Sequence, residues 1–182
     1  MKVFAAGRWL RTSSASLRAT LTGFVLFILV GYVSNFAILV WKTGFTTAGV
    51  AAYYLGDDSG LRFPKEMHEL LENLHFHIYI VPVVLLVLTH LLFMTRWSER
   101  AKVAATVLAY AAAALDLGAP WIVWSGGAAF APIKLFSSAV YHATLVGLAL
   151  VILWETWLAP LPAAGAPGEQ EHRRGPHPQK SA

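Results

Sequence analysis

Four apolar runs divide the chain, roughly Leu21–Trp41, Phe76–Thr95, Val103–Val123 and Ile133–Leu153. Each has the roughly 20 mostly apolar residues that a helix needs to cross a bilayer. In lipid a segment must satisfy its own backbone, which leaves helices or closed barrels. Hydrophobic residues make up 57% of the chain and charged residues 13%, where a soluble domain carries about a quarter charged. The expected fold class is therefore all-α, an integral membrane four-helix bundle. Its expected parts are a basic arm over 1–20, a membrane domain over 21–158 with a long outer loop over 42–75, and a tail over 159–182. The tail has too little apolar surface to fold and is expected to be disordered. The first run is longer than a signal-peptide core and no clear small-residue cleavage site follows it, so it reads as a retained anchor.

Charge placement predicts orientation. Lys2, Arg8, Arg11 and Arg18 precede the first span, Arg96, Arg100 and Lys102 join the second and third, and Arg173, Arg174 and Lys180 lie in the tail. With four spans all ten share one side, against Lys42, Arg62, Lys65 and Lys134 on the other. Basic residues near span ends favour the cytoplasm, so both termini are expected there, in a bacterial-type inner membrane, with the long loop extracytoplasmic. Trp41, Trp121 and Trp124 at one end and Trp97, Trp154 and Trp157 at the other match the aromatic belts of a bilayer. The formal charge of +4 thus describes topology, and no nucleic-acid partner is expected.

In the outer loop, Thr47–Leu55 reads as a short amphipathic helix with Tyr53 and Tyr54 resting at the interface. Gly56-Asp57-Asp58-Ser59-Gly60 reads as a turn. Pro64 suits a first helical turn. From Lys65 the pattern is helical and continues into the second span as one long helix with Pro82 inside it. His68, on that helix, reads as solvated, and His172 and His177 as parts of a solvated tail.

The chain contains no cysteine, which excludes disulfides, iron–sulfur clusters, covalent c-type haem and thiolate zinc. No nucleophile–base pair, phosphate loop or nucleotide fingerprint is visible, so a redox subunit is expected rather than a stand-alone enzyme. Ionisable groups within a membrane are costly and usually functional. Those available are His90 in the second span, Asp116 in the third and His142 in the fourth, alongside polar Ser34, Asn35, Thr89, Ser137, Ser138 and Thr144. At about 1.5 Å per residue from the outer boundary, Asp116 lies about 10 Å down, His142 about 10–14 Å and His90 about 21 Å. His75 and His77 fall near the surface. Asp116 and His142 are then level, and the carboxylate is expected to orient the imidazole, as carboxylates do for ligating histidines.

Histidines on facing helices resemble membrane cytochromes b. That resemblance implies one b-type haem between the second and fourth spans, with His142 as one axial ligand and His90, His77 or His75 as the other. Neither candidate partner is level with His142, the offset being about 8–12 Å. Asn73-x3-His77-x12-His90 is similar to the Asp-x3-His-x12-His copper motif in the C subunit of particulate methane and ammonia monooxygenases, with asparagine in the aspartate position. It implies a copper site of Asn73, His77 and His90, and beside it the residues themselves offer copper or another nonhaem metal at the outer end of the second span, held by His75 and His77 with Glu72, Asn73 or His68. A third reading has no cofactor, the polar groups bonding helix to helix in a non-catalytic accessory or assembly subunit. The chain also resembles small four-span bacterial membrane proteins with a polar His-Phe-His segment opening the second span. The expected function is electron transfer through haem b. The expected contacts are lipid and either other subunits of a membrane complex or a periplasmic redox protein.

Overall fold

The computed structural model describes residues 10–160. The expectations for Lys2, Arg8, the tail residues His172, Arg173, Arg174, His177 and Lys180, and the disorder of 161–182 lie outside the described residues. Within them the secondary structure is helical: α1 (Ala15–Thr43), α2 (Thr47–Leu55), α3 (Met67–Leu92), α4 (Glu99–Gly126) and α5 (Ala131–Trp157), with single 3-10 turns at Leu10–Thr12 and Ala128–Phe130. The four long helices are long and apolar enough to cross a membrane, and the protein is a four-helix membrane bundle. Helices α1, α4 and α5 overrun at both ends the apolar runs that announced them, whereas α3 starts nine residues early and stops at Leu92, short of Thr95.

The caps are local and legible. The side chains of Ser14, Thr46 and Ser98 accept hydrogen bonds from the backbone N–H groups of Leu17, Gly49 and Ala101, as N-cap residues do. Helix α3 opens on a reciprocal capping box between Glu66 and Glu69. Pro64 is therefore not in the first turn. It belongs to an extended approach, because Glu66 supplies a cap that proline cannot. Helix α1 ends on Gly44 at φ +60°, followed by Phe45 at φ +53°. A non-glycine residue in that region is uncommon. Phe45 is held there by an edge-on contact with Phe36, centroids 5.2 Å apart, and by its N–H donating to the Thr43 hydroxyl at 3.1 Å.

Helix α5 is the central element, packing on α1, α3 and α4. Its buried positions, among them Lys134, Ser137, Ser138, Tyr141, His142, Leu145, Leu148, Ile152 and Glu155, repeat at three and four residues, the period of one helical face. Helix α1 buries only Val25 and Thr43 and otherwise presents apolar side chains such as Phe27 and Val30 outward, as a lipid-facing helix should.

Hydrogen bonds fix the two ends. At the loop end Trp124 Nε1 donates to the Lys65 carbonyl at 2.8 Å, and Arg62 donates to the Lys42 carbonyl at 3.0 Å. At the tail end the Leu10 N–H donates to the Met94 carbonyl at 3.3 Å, Trp157 Nε1 donates to Thr22 at 2.8 Å, and the Arg18 guanidinium lies 4.0 Å from the Trp157 ring centroid. Glu155 is buried there, 3.8 Å from Arg96.

The loop between α1 and α3 folds back onto the bundle. Helix α2 seals the loop end through a second apolar cluster of Val50, Tyr54, Leu70, Val123 and Ala131. This corrects the expectation for the tyrosine pair. Tyr53 stays partly exposed, whereas Tyr54 is 7% exposed, and burial raises its phenol above the ordinary tyrosine range. The short helix has three- to four-residue spacing on both sides, so its pattern could not say which tyrosine turned inward. A Cβ at Gly49 would collide with the Thr43 carbonyl, so the α1–α2 turn closes only over glycine. Gly49→Ala is expected to loosen α2. Faster proteolysis within the 44–66 loop, with helical content in the membrane unchanged, would report it.

Candidate functional site

Between α1 and α3, which diverge on either side of α5, lies a cleft of about 740 Å³. Its floor is the polar face of α5 and its walls are apolar, with Ile28, Ile38 and Leu39 from α1 and Ile80, Val81 and Val84 from α3. Polar groups line it as well, among them Asn35, His77, Asp116, Lys134, Ser138 and His142, with Lys42, Tyr53 and Lys65 at the loop end.

One buried polar unit is an ion pair. Lys134 donates to the Asp116 carboxylate at 2.7 Å and to the Asp116 carbonyl at 3.1 Å. Ser138 and Ser137 donate to the same carboxylate oxygen at 2.5 and 3.2 Å. Asp116 and Lys134 are each 8% exposed. This overturns the expected direct bond from Asp116 to His142. The carboxylate is taken by Lys134 and the serines, and reaches His142 only through the backbone of Ser138. Lys134 was missed because a lysine one turn from a span end reads as a topological charge. The signal was its spacing: 134, 137, 138, 141 and 142 fall on one face.

His142 and His77 are held alike. His142 Nδ1 lies 2.7 Å from the Ser138 carbonyl, and His77 Nδ1 lies 2.7 Å from the Asn73 carbonyl. A carbonyl only accepts, so in each ring Nδ1 carries the proton and Nε2 keeps its lone pair. That is the tautomer of a metal-ligating imidazole oriented by its far nitrogen. Asn35 donates to His142 Nε2 at 3.3 Å. The rings of Tyr32, Phe36 and Tyr141 surround His142 with centroids 6.0, 5.2 and 5.4 Å away. The Tyr32 and Tyr141 hydroxyls share a hydrogen bond of 2.9 Å.

Both histidines line the cleft. The start of α3 is tied to the end of α4 by the Trp124–Lys65 bond, and Leu70 shares a buried apolar cluster with Ala131 at the start of α5.

The other histidines go elsewhere. His75 is exposed and its ring sits edge-on to Tyr79, centroids 5.3 Å apart. His90 is exposed in the last turn of α3, beside Phe93, and is absent from the cleft lining. The expectation of a deeply buried His90 is corrected. Leu88, Thr89, Leu91 and Leu92 take the inward positions, and His90 falls between them on the outer face. His68 pairs with Glu66 at the exposed start of α3, 3.2 Å away. Glu72, Asn73 and His77 line the cleft while His75 does not. The His75–His77 chelate is therefore not assembled, since residues two apart on a helix diverge. Among the described residues no three His, Asp or Glu side chains converge as a metal cage.

At the mouth, Lys65 pairs with Glu69 at 2.5 Å, and that hydrogen bond holds the ammonium above the ordinary lysine range. In the neighbouring turn Asp57 accepts from the Ser59 hydroxyl at 2.7 Å and from the Arg62 backbone N–H at 3.3 Å, which keeps its carboxyl below the ordinary range, the Ser59 bond first. The turn thus uses Asp57 on itself.

No curated protein and no solved structure matches the chain. A family of transmembrane helical domains matches residues 44–163, which takes in α2 to α5 and with them His77, Asp116, Lys134 and His142. Two thirds of the sequence is covered by that match, and the chain belongs to the transmembrane helical domain family Aq_1264_TM.

Proposed function

We propose that the protein is a membrane electron-transfer subunit in which one b-type haem would be held between α3 and α5 by His77 and His142. One observation supports this reading: two imidazoles lining one cleft, from its α3 wall and its α5 floor, each with Nδ1–H on the carbonyl four residues back and the lone pair on Nε2. Histidines from two helices are what noncovalent haem in a membrane bundle requires. The cleft volume, about 740 Å³, falls in the range of about 300–1,000 Å³ usual for small-molecule and cofactor sites. Its walls are apolar, as a macrocycle needs. Asn35 is on the exposed wall, and turning it from His142 costs one neutral hydrogen bond, about 1 kcal/mol. The haem would supply one-electron redox chemistry. The chain's residues hold the ligating tautomers, exclude water and surround His142 with aromatic rings.

The proposal places both termini in the cytoplasm of a bacterial-type inner membrane, with the loop end facing a periplasmic redox protein or another subunit. The Lys/Arg asymmetry supports it. A non-catalytic accessory subunit is the second reading, favoured by the closed bonding of Asp116 with Lys134, Ser137 and Ser138. The two differ in one measurement. Protein purified from haem-replete cells is expected to show a Soret band and a pyridine haemochrome of b type. A colourless preparation that also fails to take up added haemin would refute the haem assignment.

A further inference from the structure

A second cavity of about 440 Å³ opens at the loop end beside the cleft, lined by Trp41, Lys42, Tyr53, Arg62, Phe63 and Lys65. Three of its six residues are cationic and none is acidic. The cations are held in position. The ammonium groups of Lys42 and Lys65 lie 5.5 and 5.4 Å from the centroid of the Tyr53 ring, and Lys42 also donates to the Tyr53 hydroxyl at 3.4 Å. Arg62 reaches across the loop to donate to the Lys42 carbonyl. Glu69 and Asp57, which bond to residues around the cavity, are not part of its lining. Glu69 pairs with Lys65 from the cleft side, and Asp57 bonds within its own turn. Arg62 also acts on Asp57 through its charge, but no carboxylate lines the cavity itself.

The rim sets the depth. Trp41 and Phe63 are 83% and 81% exposed, and neighbouring Leu61 is 85% exposed. Large apolar and aromatic side chains displayed where a span ends belong at the headgroup level of a bilayer. We propose that Lys42, Arg62 and Lys65, arranged around Tyr53, bind the phosphate of an anionic phospholipid headgroup, with Trp41, Leu61 and Phe63 against its acyl chains. A free phosphate ion offers the same charge but makes no use of that apolar rim.

The test reconstitutes the full chain into nanodiscs of phosphatidylcholine with and without phosphatidylglycerol and counts retained lipids by native mass spectrometry. Phosphatidylglycerol is expected to be enriched over its bulk share. Lys42→Gln with Arg62→Gln is expected to lower that preference by about 30-fold, two interfacial cations at about 1 kcal/mol each. Arg62→Glu alone, a change at an exposed loop residue, should abolish it with helical content unchanged. If inorganic phosphate displaces phosphatidylglycerol from the mixed discs, or binds as tightly in neutral discs, the site takes a soluble anion and the proposal is overturned. Equal enrichment in wild type and Arg62→Glu also overturns it. Haem content is read separately in each sample and decides nothing here.

Discussion

Lys134→Met is expected to destabilise the folded bundle by about 3–5 kcal/mol, the cost of leaving one member of a buried ion pair uncompensated. The effect comes from Asp116. In the folded chain its carboxylate accepts from Lys134, Ser137 and Ser138, and the ammonium balances its charge. Without Lys134 the two hydroxyls remain and the charge does not. Asp116 must then ionise unpaired or take up a proton. Asp116→Leu is expected to cost a similar amount by stranding Lys134. Asp116→Leu with Lys134→Met is expected to recover most of the loss, because desolvating two charges largely cancels their attraction. Recovery should fall short by roughly 1 kcal/mol, the Ser138 hydroxyl having lost its acceptor. Ser137 keeps an alternative in the Lys134 carbonyl, 3.1 Å away. Reversible unfolding in mixed micelles, run as a double-mutant cycle, measures all four values. A Lys134→Met protein as stable as wild type would show that water reaches the pair and that the cluster does not hold α4 to α5.

What could be read in the sequence follows from which quantities are local. The four spans and helix α2 are set by runs of apolar residues and by caps a few positions away, such as Ser98 before Ala101. Those signals need no knowledge of neighbours. Facing is different. His90 sits in an apolar run and looked buried, but a lipid-facing side of a membrane helix is as apolar as its core side. Composition alone therefore could not tell the exposed His90 from the inward Thr89. The Asp116–Lys134 pair was hidden by a rule that serves orientation well. Counting lysines as cytoplasmic or external charges leaves no place for one that folds back into the bundle. His142 and its polar neighbours on α5 were legible, because their three- and four-residue spacing survives whatever packs against them.

The contrast between His77 and His90 gives the sharpest test of the proposed haem. His90→Ala is expected to retain wild-type haem content, since that ring lies on the outer face away from the cleft. His77→Ala and His142→Ala are each expected to lower haem retention by more than the ~10–100-fold typical of losing a ligand's supporting hydrogen bond, because here the ligand itself is lost. The two differ in their structural cost. His77 is only partly buried and spans the end of a solvated turn of α3, so its removal should leave the bundle intact. His142 is 7% exposed among three aromatic rings, and its removal opens a cavity. Added imidazole should refill that cavity and return the Soret band of His142→Ala. Asn73→Ala serves as a control, since the Asn73 carbonyl that holds His77 belongs to the backbone and survives the substitution. The measurement is the pyridine haemochrome per protein, with circular dichroism confirming helical content. Loss of haem in His90→Ala with retention in His77→Ala would invert the ligand assignment. It would require α3 to rotate by nearly half a turn, because residues thirteen apart differ in facing by about 140°.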